Sequence, residues 1–289
     1  ELGCNDDSSR SSPIQTAAGG TNWESVSSGG LHTAAIKTNG TLWVWGSDSH
    51  GQLGKNTYQE SVSSPVQTVA GGTNWNSVAC GERFMFAIKD NGTLWGWGEN
   101  NNGQLGLEDQ AHRSSPIQTI AGGTTWRQVS CGNNHIACIK NDGTLWVWGD
   151  NSNGQLGTED NQDRSSPVQT TCGGSNWKQV SCGQLNTAAI KTDGTLWVWG
   201  YNGNGELGDD TTNNKSSPVQ TIMGGTNWTY VWSGYVNTLA IESTPTETVV
   251  TSCANDACGT TTGFSCVKKT ENLLPTKDII LLHQKCSYK

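Results

Sequence analysis

The chain has 289 residues and a formal net charge of −8. Its basic residues are scattered singly, which argues against nucleic acid as a partner, because phosphate binding requires a patch of Lys and Arg. No stretch is long and apolar enough to cross a bilayer, so we expect no membrane insertion. The 37 glycines recur at regular intervals and therefore indicate turns rather than disorder.

A unit of about 51 residues recurs five times along the chain. Each unit has a tryptophan after a Gly-Gly-(Thr/Ser)-(Asn/Thr) segment, at Trp23, Trp75, Trp126, Trp177 and Trp228. A proline follows a Ser-Ser pair with the same period, at Pro13, Pro65, Pro116, Pro167 and Pro218. A fixed period of this length is typical of solenoids and propellers. The repeats therefore predict one cooperative body, which we place at residues 1–252.

Each unit predicts four short antiparallel strands. In the fourth unit the first strand begins at Trp177, and the second and third strands cover 187–191 and 195–200. The pair Asp193-Gly194 between them favours a type I′ hairpin, in which both central residues have positive φ. A loop rich in Gly and Asn leads to a fourth strand at 216–221, whose proline is typical of a sheet edge.

The third strand of this unit is apolar on both faces. Trp197 and Trp199 point to one side, and Leu196 and Val198 point to the other. Both faces must be covered, as they are when blades stack face to face. The pattern predicts an all-β fold, a β-propeller of four-stranded antiparallel blades.

The two chain ends hold complementary parts of one unit. The fifth unit lacks the hairpin and the Ser-Ser-Pro strand, whereas residues 11–16 form a spare Ser-Ser-Pro segment at the amino terminus. Residues 246–251 could supply the missing third strand. We therefore predict five blades, with the last one closed by both chain ends, because closure removes exposed strand edges. The alternative is an incomplete arc of a larger propeller.

Beyond the repeats, the character of the chain changes. Four cysteines crowd the segment 253–289, at Cys253, Cys258, Cys266 and Cys286. Their spacing is loose for zinc and favours two disulfides, which would imply an oxidising compartment. Cys4 could join this cluster, and Cys138 and Cys172 are candidates for a local disulfide or for free buried thiols. We treat 253–289 as a cysteine-rich C-terminal extension.

Nothing in the sequence predicts catalysis. The five histidines do not recur with a Cys or Ser at informative spacing, so we expect no enzyme and no catalytic residue. Cysteines share one repeat position in three units, at Cys80, Cys131 and Cys182. The other units have serine there, which favours a requirement for a small residue over a ring of thiols that binds a metal. We expect neither a metal nor a cofactor.

Spaced elements of the unit resemble the regulator of chromosome condensation repeat family. They are best seen in residues 148–157, Trp-Gly-Asp-Asn-Ser-Asn-Gly-Gln-Leu-Gly, and in residues 31–37, Leu-His-Thr-Ala-Ala-Ile-Lys. The resemblance covers roughly residues 1–242 and implies a propeller, usually of seven blades, so the alternative to a five-bladed ring is an arc of seven. The namesake activity, guanine-nucleotide exchange with chromatin binding, is the less favoured function, because the chain has no basic tail and no inserted wedge. Similar repeats occur in secreted bacterial proteins and in bacteriophage structural proteins.

The units differ most in a tripeptide that we place at the mouth of the propeller channel. We therefore predict a non-enzymatic interaction or adhesion module, secreted or displayed on a virion or cell surface, that binds a protein or a surface glycan. The candidate partner-binding residues are Leu31, His32, Glu82, Arg83, Phe84, Asn133, Asn134, His135, Gln184, Leu185, Tyr235 and Val236.

The alternative function is a multivalent lectin. Five equivalent pockets would lie around the repeated tryptophans, and avidity would come from their number. The candidate platforms are Trp23, Trp75, Trp126, Trp177 and Trp228, provided that their ring faces are exposed. The sequence leaves the oligomeric state open.

Overall fold

The computed structural model describes residues 2–235 and 237–243, together with the backbone of 277–282. These residues form nineteen β-strands, grouped into five antiparallel sheets that we call blades 1 to 5 in chain order. No helix long and apolar enough to cross a membrane occurs in the described part of the chain.

Blade 1 contains β1 (Trp23–Ser28), β2 (His32–Lys37), β3 (Leu42–Gly46) and β4 (Val62–Gln67). Blade 2 contains β5 (Trp75–Cys80), β6 (Phe84–Lys89), β7 (Leu94–Gly98) and β8 (Arg113–Gln118). Blade 3 contains β9 (Trp126–Cys131), β10 (His135–Lys140), β11 (Leu145–Gly149) and β12 (Arg164–Gln169). Blade 4 contains β13 (Trp177–Cys182), β14 (Asn186–Lys191), β15 (Leu196–Gly200) and β16 (Lys215–Gln220). Blade 5 contains β17 (Trp228–Ser233), β18 (Thr238–Ser243) and β19 (Lys277–Leu282).

The first strand of each blade is the innermost, and these five strands line a common channel. The predicted four-stranded antiparallel blade is thus confirmed for blades 1 to 4, with the strands in sequence order.

The hairpin between the second and third strands is confirmed, but the predicted turn type is wrong. Gly40 has a φ of 73°, whereas Asn39 is not among the residues with positive φ. Asn39 Oδ1 instead accepts hydrogen bonds from the Thr41 backbone N–H at 3.2 Å and from its hydroxyl at 2.7 Å. Lys37 O accepts from Gly40 N at 2.8 Å, which gives a three-residue loop whose glycine alone is left-handed.

Blade 5 differs from the prediction. Its third strand is Lys277–Leu282, which pairs with β18 from Thr238↔Leu282 to Ser243↔Lys277. That strand comes from the stretch assigned to the C-terminal extension, whereas residues 246–251 lie outside the described residues. Residues 11–16 form no strand. Closure of the ring by both chain ends therefore stays a prediction.

Consecutive blades pack through two unlike apolar faces. The trailing face of a blade carries aliphatic side chains from its second and third strands and the leucine of its Gly-Gln-Leu-Gly loop; in blade 3 these are Ala137, Ile139, Leu145, Val147 and Leu156. The leading face of blade 4 presents Trp177 and Trp199 against them, and all of these side chains are buried. Equivalent clusters fill the other three junctions between consecutive blades. Each fully buried large side chain contributes about 1.5–3 kcal/mol.

Hydrogen bonds fix the orientation of the buried indoles. Trp148 Nε1 donates to Gln104 O in the preceding blade at 2.9 Å, and Trp199 Nε1 donates to Gln155 O at 2.8 Å. The lysine that recurs once per unit lies over two indoles of its own blade. Lys140 Nζ, for example, is 4.6 Å and 4.4 Å from the ring centroids of Trp126 and Trp146. Such cation–π contacts add to the packing of the half-buried ring.

The leading face of the first blade is only partly covered, since Trp45 is 4% exposed and Trp23 is half-buried. Leu2 precedes Gly3, which lies against the Trp45 indole as Gly54 lies against that of Trp97. Leu2 thus has the repeat position of Leu156, but it is 44% exposed. No fifth apolar cluster joins blades 5 and 1 among the described residues.

The two leucines give a matched test of the junction. Leu156→Ala should lower the free energy of unfolding by about 3 kcal/mol, because it removes buried methyl groups and leaves a cavity. Leu2→Ala, at the equivalent but exposed position, should change it by less than about 0.5 kcal/mol. Urea unfolding followed by circular dichroism measures both. Equal losses in the two variants would contradict this account of the junctions.

Candidate functional site: the channel mouth

The inner strands of all five blades end at one opening of the channel, which we call the mouth. It encloses a cavity of about 260 Å³ lined by the last residue of each inner strand and the two residues after it. The first residue of each variable tripeptide lies in this lining: Gly30, Glu82, Asn133, Gln184 and Tyr235. Four of the predicted partner-binding residues, Glu82, Asn133, Gln184 and Tyr235, therefore lie together as expected from the blade arrangement.

Backbone hydrogen bonds tie the mouth into a partial ring. Gly30 N donates to Glu82 O at 3.1 Å, Glu82 N donates to Asn133 O at 3.2 Å, and Asn133 N donates to Gln184 O at 3.1 Å. Gln184 N then donates to Gly234 O at 3.2 Å. The side chains of the tripeptides thus project from a frame that is the same in every blade.

The second residue of each tripeptide lies farther out on the rim. Leu31 is 57% exposed, Arg83 is exposed, and Asn134 and Leu185 are half-buried. Val236, which has this position in blade 5, lies outside the described residues. Arg83 Nε lies 4.0 Å from the Glu82 carboxylate, and Glu82 is the one charged residue in the lining of the mouth.

The third residue of each tripeptide is not on the rim. His32, Phe84 and His135, which the sequence analysis placed there, are at most 1% exposed, and Met85 is fully buried. They begin the second strand and point into the junction with the next blade. Their burial corrects the prediction that His32, Phe84 and His135 contact a partner at the mouth.

These buried side chains also explain the invariant glycine three residues earlier. A Cβ on Gly132 would overlap the His135 ring, and it would come within 2.5 Å of Gly183 O in the next blade. Equivalent overlaps would occur at Gly29 with His32 and at Gly81 with Phe84. The glycine is required by the close approach of two blades.

Burial keeps the two junction histidines neutral. It lowers the pKa of His32 and of His135 to about 4, from the ordinary 6.5. Desolvation is the largest cause of the shift at both rings, because each imidazole is enclosed between two blades. His135 Nε2 also lies 2.9 Å from Thr187 Oγ1 across the junction. Both histidines therefore contribute to packing between blades, with no opening to substrate.

The repeated cysteines have a similar structural role. Cys80 Sγ donates to Ser27 O at 3.3 Å, and Cys182 Sγ donates to Ser130 O at 3.4 Å, in each case across a junction. Burial raises the pKa of both thiols to about 12. Among the described residues no group of three or more His, Cys, Asp or Glu side chains is arranged to hold a metal ion. Cys4, Cys138 and Cys172 are also free thiols, and the four tail cysteines lie outside the described residues.

The tryptophans proposed as sugar platforms are not available. Four of them are at most 2% exposed, namely Trp75, Trp126, Trp177 and Trp228. Each indole N–H donates to a backbone carbonyl four residues earlier, as in Trp177 Nε1 to Gly173 O at 2.9 Å. Trp23 alone is partly exposed, because the leading face of blade 1 is only partly covered. A lectin with five equivalent sites on these rings is therefore incorrect.

One exposed aromatic pair lies outside the residues predicted from the sequence. Tyr230 and Trp232, on the inner strand of blade 5, are 44% and 49% exposed. The signal was present in the sequence, since the Trp232 position holds Ser27, Ser130 and Ser181 in other units.

Comparison with known proteins identifies the repeat. A family model described as RCC1-like domain matches residues 1–287. The human probable E3 ubiquitin-protein ligase HERC3 is 34% identical over 197 residues, which cover 67% of this chain and 19% of that protein. The ultraviolet-B receptor UVR8 of Arabidopsis thaliana is 32% identical over 197 residues, covering 68% of this chain and 45% of that protein. The chain thus spans less than half the length of either relative.

A solved structure supports the same fold. Yeast RCC1 (Prp20) bound to Kap60 aligns with a TM-score of 0.65 and 19% identity, over 76% of this chain and 54% of that chain. At this identity the likeness concerns the fold alone.

The neutral histidines predict an acid-sensitive fold. Each has a pKa of about 4 when folded and 6.5 when unfolded, so the unfolded chain binds more protons between these values. The contribution of the neutral histidines to the free energy of unfolding is fully present above about pH 6.5, and it is lost as the pH falls towards about 4. When the pH falls from about 7.5 to about 5, each histidine should lower the free energy of unfolding by about 2 kcal/mol.

Replacement by phenylalanine, the residue at the equivalent position 84, tests this. Over this pH range, the free energy of unfolding of the double variant His32→Phe/His135→Phe should fall by less than that of the original chain. Each single variant should show about half of this reduction in pH dependence. Urea unfolding at both pH values is the measurement. An unchanged pH dependence in the double variant would rule out these histidines as its source.

Proposed function

Because the chain belongs to the family of RCC1-like domains, we propose that it is a non-enzymatic interaction module that binds a protein partner at the channel mouth. The observation that carries the proposal is the division of the mouth into a constant frame and variable side chains. Glycines and inter-blade hydrogen bonds repeat in blade after blade, whereas the residues projecting from them differ. Surfaces that vary on a rigid scaffold are typical of binding sites.

The chemistry of the rim favours a protein over an ionic ligand. Leu31 and Tyr235 are 57% and 72% exposed, and they provide apolar contact area on opposite ends of the arc of blades. Glu82 and Arg83 supply one charge of each sign, and Asn133 and Gln184 supply amides. An exposed aromatic and an arginine beside neutral polar groups are the residue types that dominate protein interfaces. The yeast RCC1 structure, which is bound to Kap60, is one case of a protein partner on this fold.

A selection from a random peptide library tests the mouth as the binding surface. Peptides that bind the intact chain should lose at least about tenfold in affinity for the variant Leu31→Gly/Arg83→Ala/Tyr235→Ser, because buried aromatic and arginine anchors carry most interface energy. Fluorescence anisotropy with the labelled peptides measures this.

The matched control is Tyr58→Ser/Val69→Ser. These side chains are 48% and 56% exposed but do not line the mouth, so the control should bind every selected peptide normally. Peptides that bind the mouth variant as well as the original chain would contradict the proposal.

We also propose that the protein works outside a cell or on a virion surface. The support is the number of cysteines in the tail, because a cluster of four in a short polar segment favours disulfides, which persist in oxidising surroundings. The blade cysteines Cys80 and Cys182 do not require an oxidising compartment, because they are buried thiols that donate hydrogen bonds.

Counting thiols in the purified protein tests this location. Alkylation after unfolding, without reduction, should label six of the ten cysteines: Cys4, Cys80, Cys131, Cys138, Cys172 and Cys182. Before unfolding, Cys80 and Cys182 should stay unlabelled, because they are buried and a pKa of about 12 leaves almost no thiolate at neutral pH. Mass spectrometry of the peptides gives both results. Labelling of all ten cysteines would remove the support for an oxidising compartment.

A further inference from the structure

Side chains on the inner strands hold the seams between neighbouring blades. In blade 4, Gln179 Nε2 donates to Val231 O at 3.1 Å, and Gln179 Oε1 accepts from Val231 N at 3.1 Å. Ser181 Oγ accepts from Ser233 N at 2.8 Å. In blade 3, Gln128 and Ser130 make the same bonds to blade 4.

Blade 5 has aromatic residues at these two positions. Tyr230 replaces the glutamine, and Trp232 replaces the serine. The two rings stack on each other with centroids 5.7 Å apart and planes inclined by 15°. The Trp232 indole has no acceptor for a backbone N–H of the kind that the Ser181 hydroxyl accepts in blade 4. The result is an exposed aromatic pair, in which Tyr230 is 44% and Trp232 is 49% exposed.

Trp232 lines a cavity of about 360 Å³ that continues the channel below the mouth. The volume is within the range of small-ligand sites, which is about 300–1,000 Å³. The rest of the wall comes from the middle of the inner strands and includes Val26, Gln128, Gln179, Ser130 and Ser181, without a charged side chain. Val26 is 69% exposed, so the cavity is open to solvent beside Trp232.

The polar groups of this wall have hydrogen-bonding capacity left over. The hydroxyls of Ser130 and Ser181 accept a backbone N–H, and each keeps its own proton to donate. The amides of Gln128 and Gln179 use one N–H each in the seam and keep the second. One exposed indole face thus lies beside several neutral donors and acceptors.

From this combination we propose that the lower channel is a carbohydrate site that binds one neutral hexopyranose residue. The apolar face of the sugar ring lies on Trp232, and its hydroxyls bond to the serine and glutamine groups. A sugar matches a lining that offers many neutral hydrogen bonds and one aromatic face. A cationic side chain over the indole would lack a carboxylate partner in the cavity, and an anionic ligand would lack a basic one.

This site differs from the mouth and does not depend on it. It lies below the mouth in the channel, it uses a tryptophan present in one unit of five, and it predicts one sugar per chain. Its failure would leave the proposed partner binding at the mouth intact, and failure of the mouth would leave this site intact.

Calorimetric titration of the intact chain tests the site. The probes are glucose, galactose, mannose and N-acetylglucosamine. Each sugar is also tested as a 1,4-linked disaccharide, in the α or the β linkage, joined either to glucose or to a second unit of the same sugar. We expect at least one probe to bind saturably with one site per chain. Trp232→Ser, which installs the residue found in blades 1, 3 and 4, should weaken binding at least about tenfold.

Two further variants separate an aromatic platform from a change in folding. Trp232→Phe keeps a ring face and should retain affinity within about threefold. Tyr58→Ser removes an equally exposed aromatic outside the channel and should leave binding unchanged. The absence of saturable binding for every probe, full binding by Trp232→Ser, or equal loss in Tyr58→Ser would each overturn the assignment.

Discussion

The structure depends on the contact between the two-tryptophan leading face of one blade and the aliphatic trailing face of the blade before it. A four-stranded sheet with apolar side chains on both faces cannot bury them alone. Trp177 and Trp199 are buried because Ile139 and Leu156 of the preceding blade cover them. The same contact sets the spacing of the blades, since the indole N–H of Trp199 must reach a carbonyl of the loop that carries Leu156.

This spacing determines what the mouth can do. At the mouth, neighbouring blades approach within one backbone hydrogen bond, so there is no room for a side chain at Gly132 and its equivalents. The tripeptide that follows this glycine therefore leaves the junction in a similar way in successive blades. His135 is then buried in the junction, whereas Asn133 lies in the channel lining. One residue of each tripeptide therefore serves stability, and the two before it are available for binding.

The repeat and the period-2 alternation were enough to predict the blades, their strand order and the burial of both faces of the third strand. The same alternation should have placed His32 inside, because it lies in phase with the buried Ala34 and Ile36. The turn type was missed because the Asn39 side chain, rather than a backbone preference, determines it. The third strand of blade 5 was missed because it pairs across a long insertion, and no local pattern encodes such a pairing.

Blade 5 shows how a small change in a repeat changes its role. In blades 3 and 4 the backbone N–H of the next blade lies within 2.9 Å of a serine hydroxyl, a place that an indole cannot share. Trp232 has the position of that serine in blade 5, and its indole offers no acceptor for such a hydrogen bond. The substitution adds an aromatic ring to a channel wall that is otherwise made of Val, Ala, Cys, Ser and Gln residues without a charged side chain. Within its own blade the Trp232 ring packs on one side against Tyr230, and about half of its surface stays exposed, which recognition of a ligand would explain.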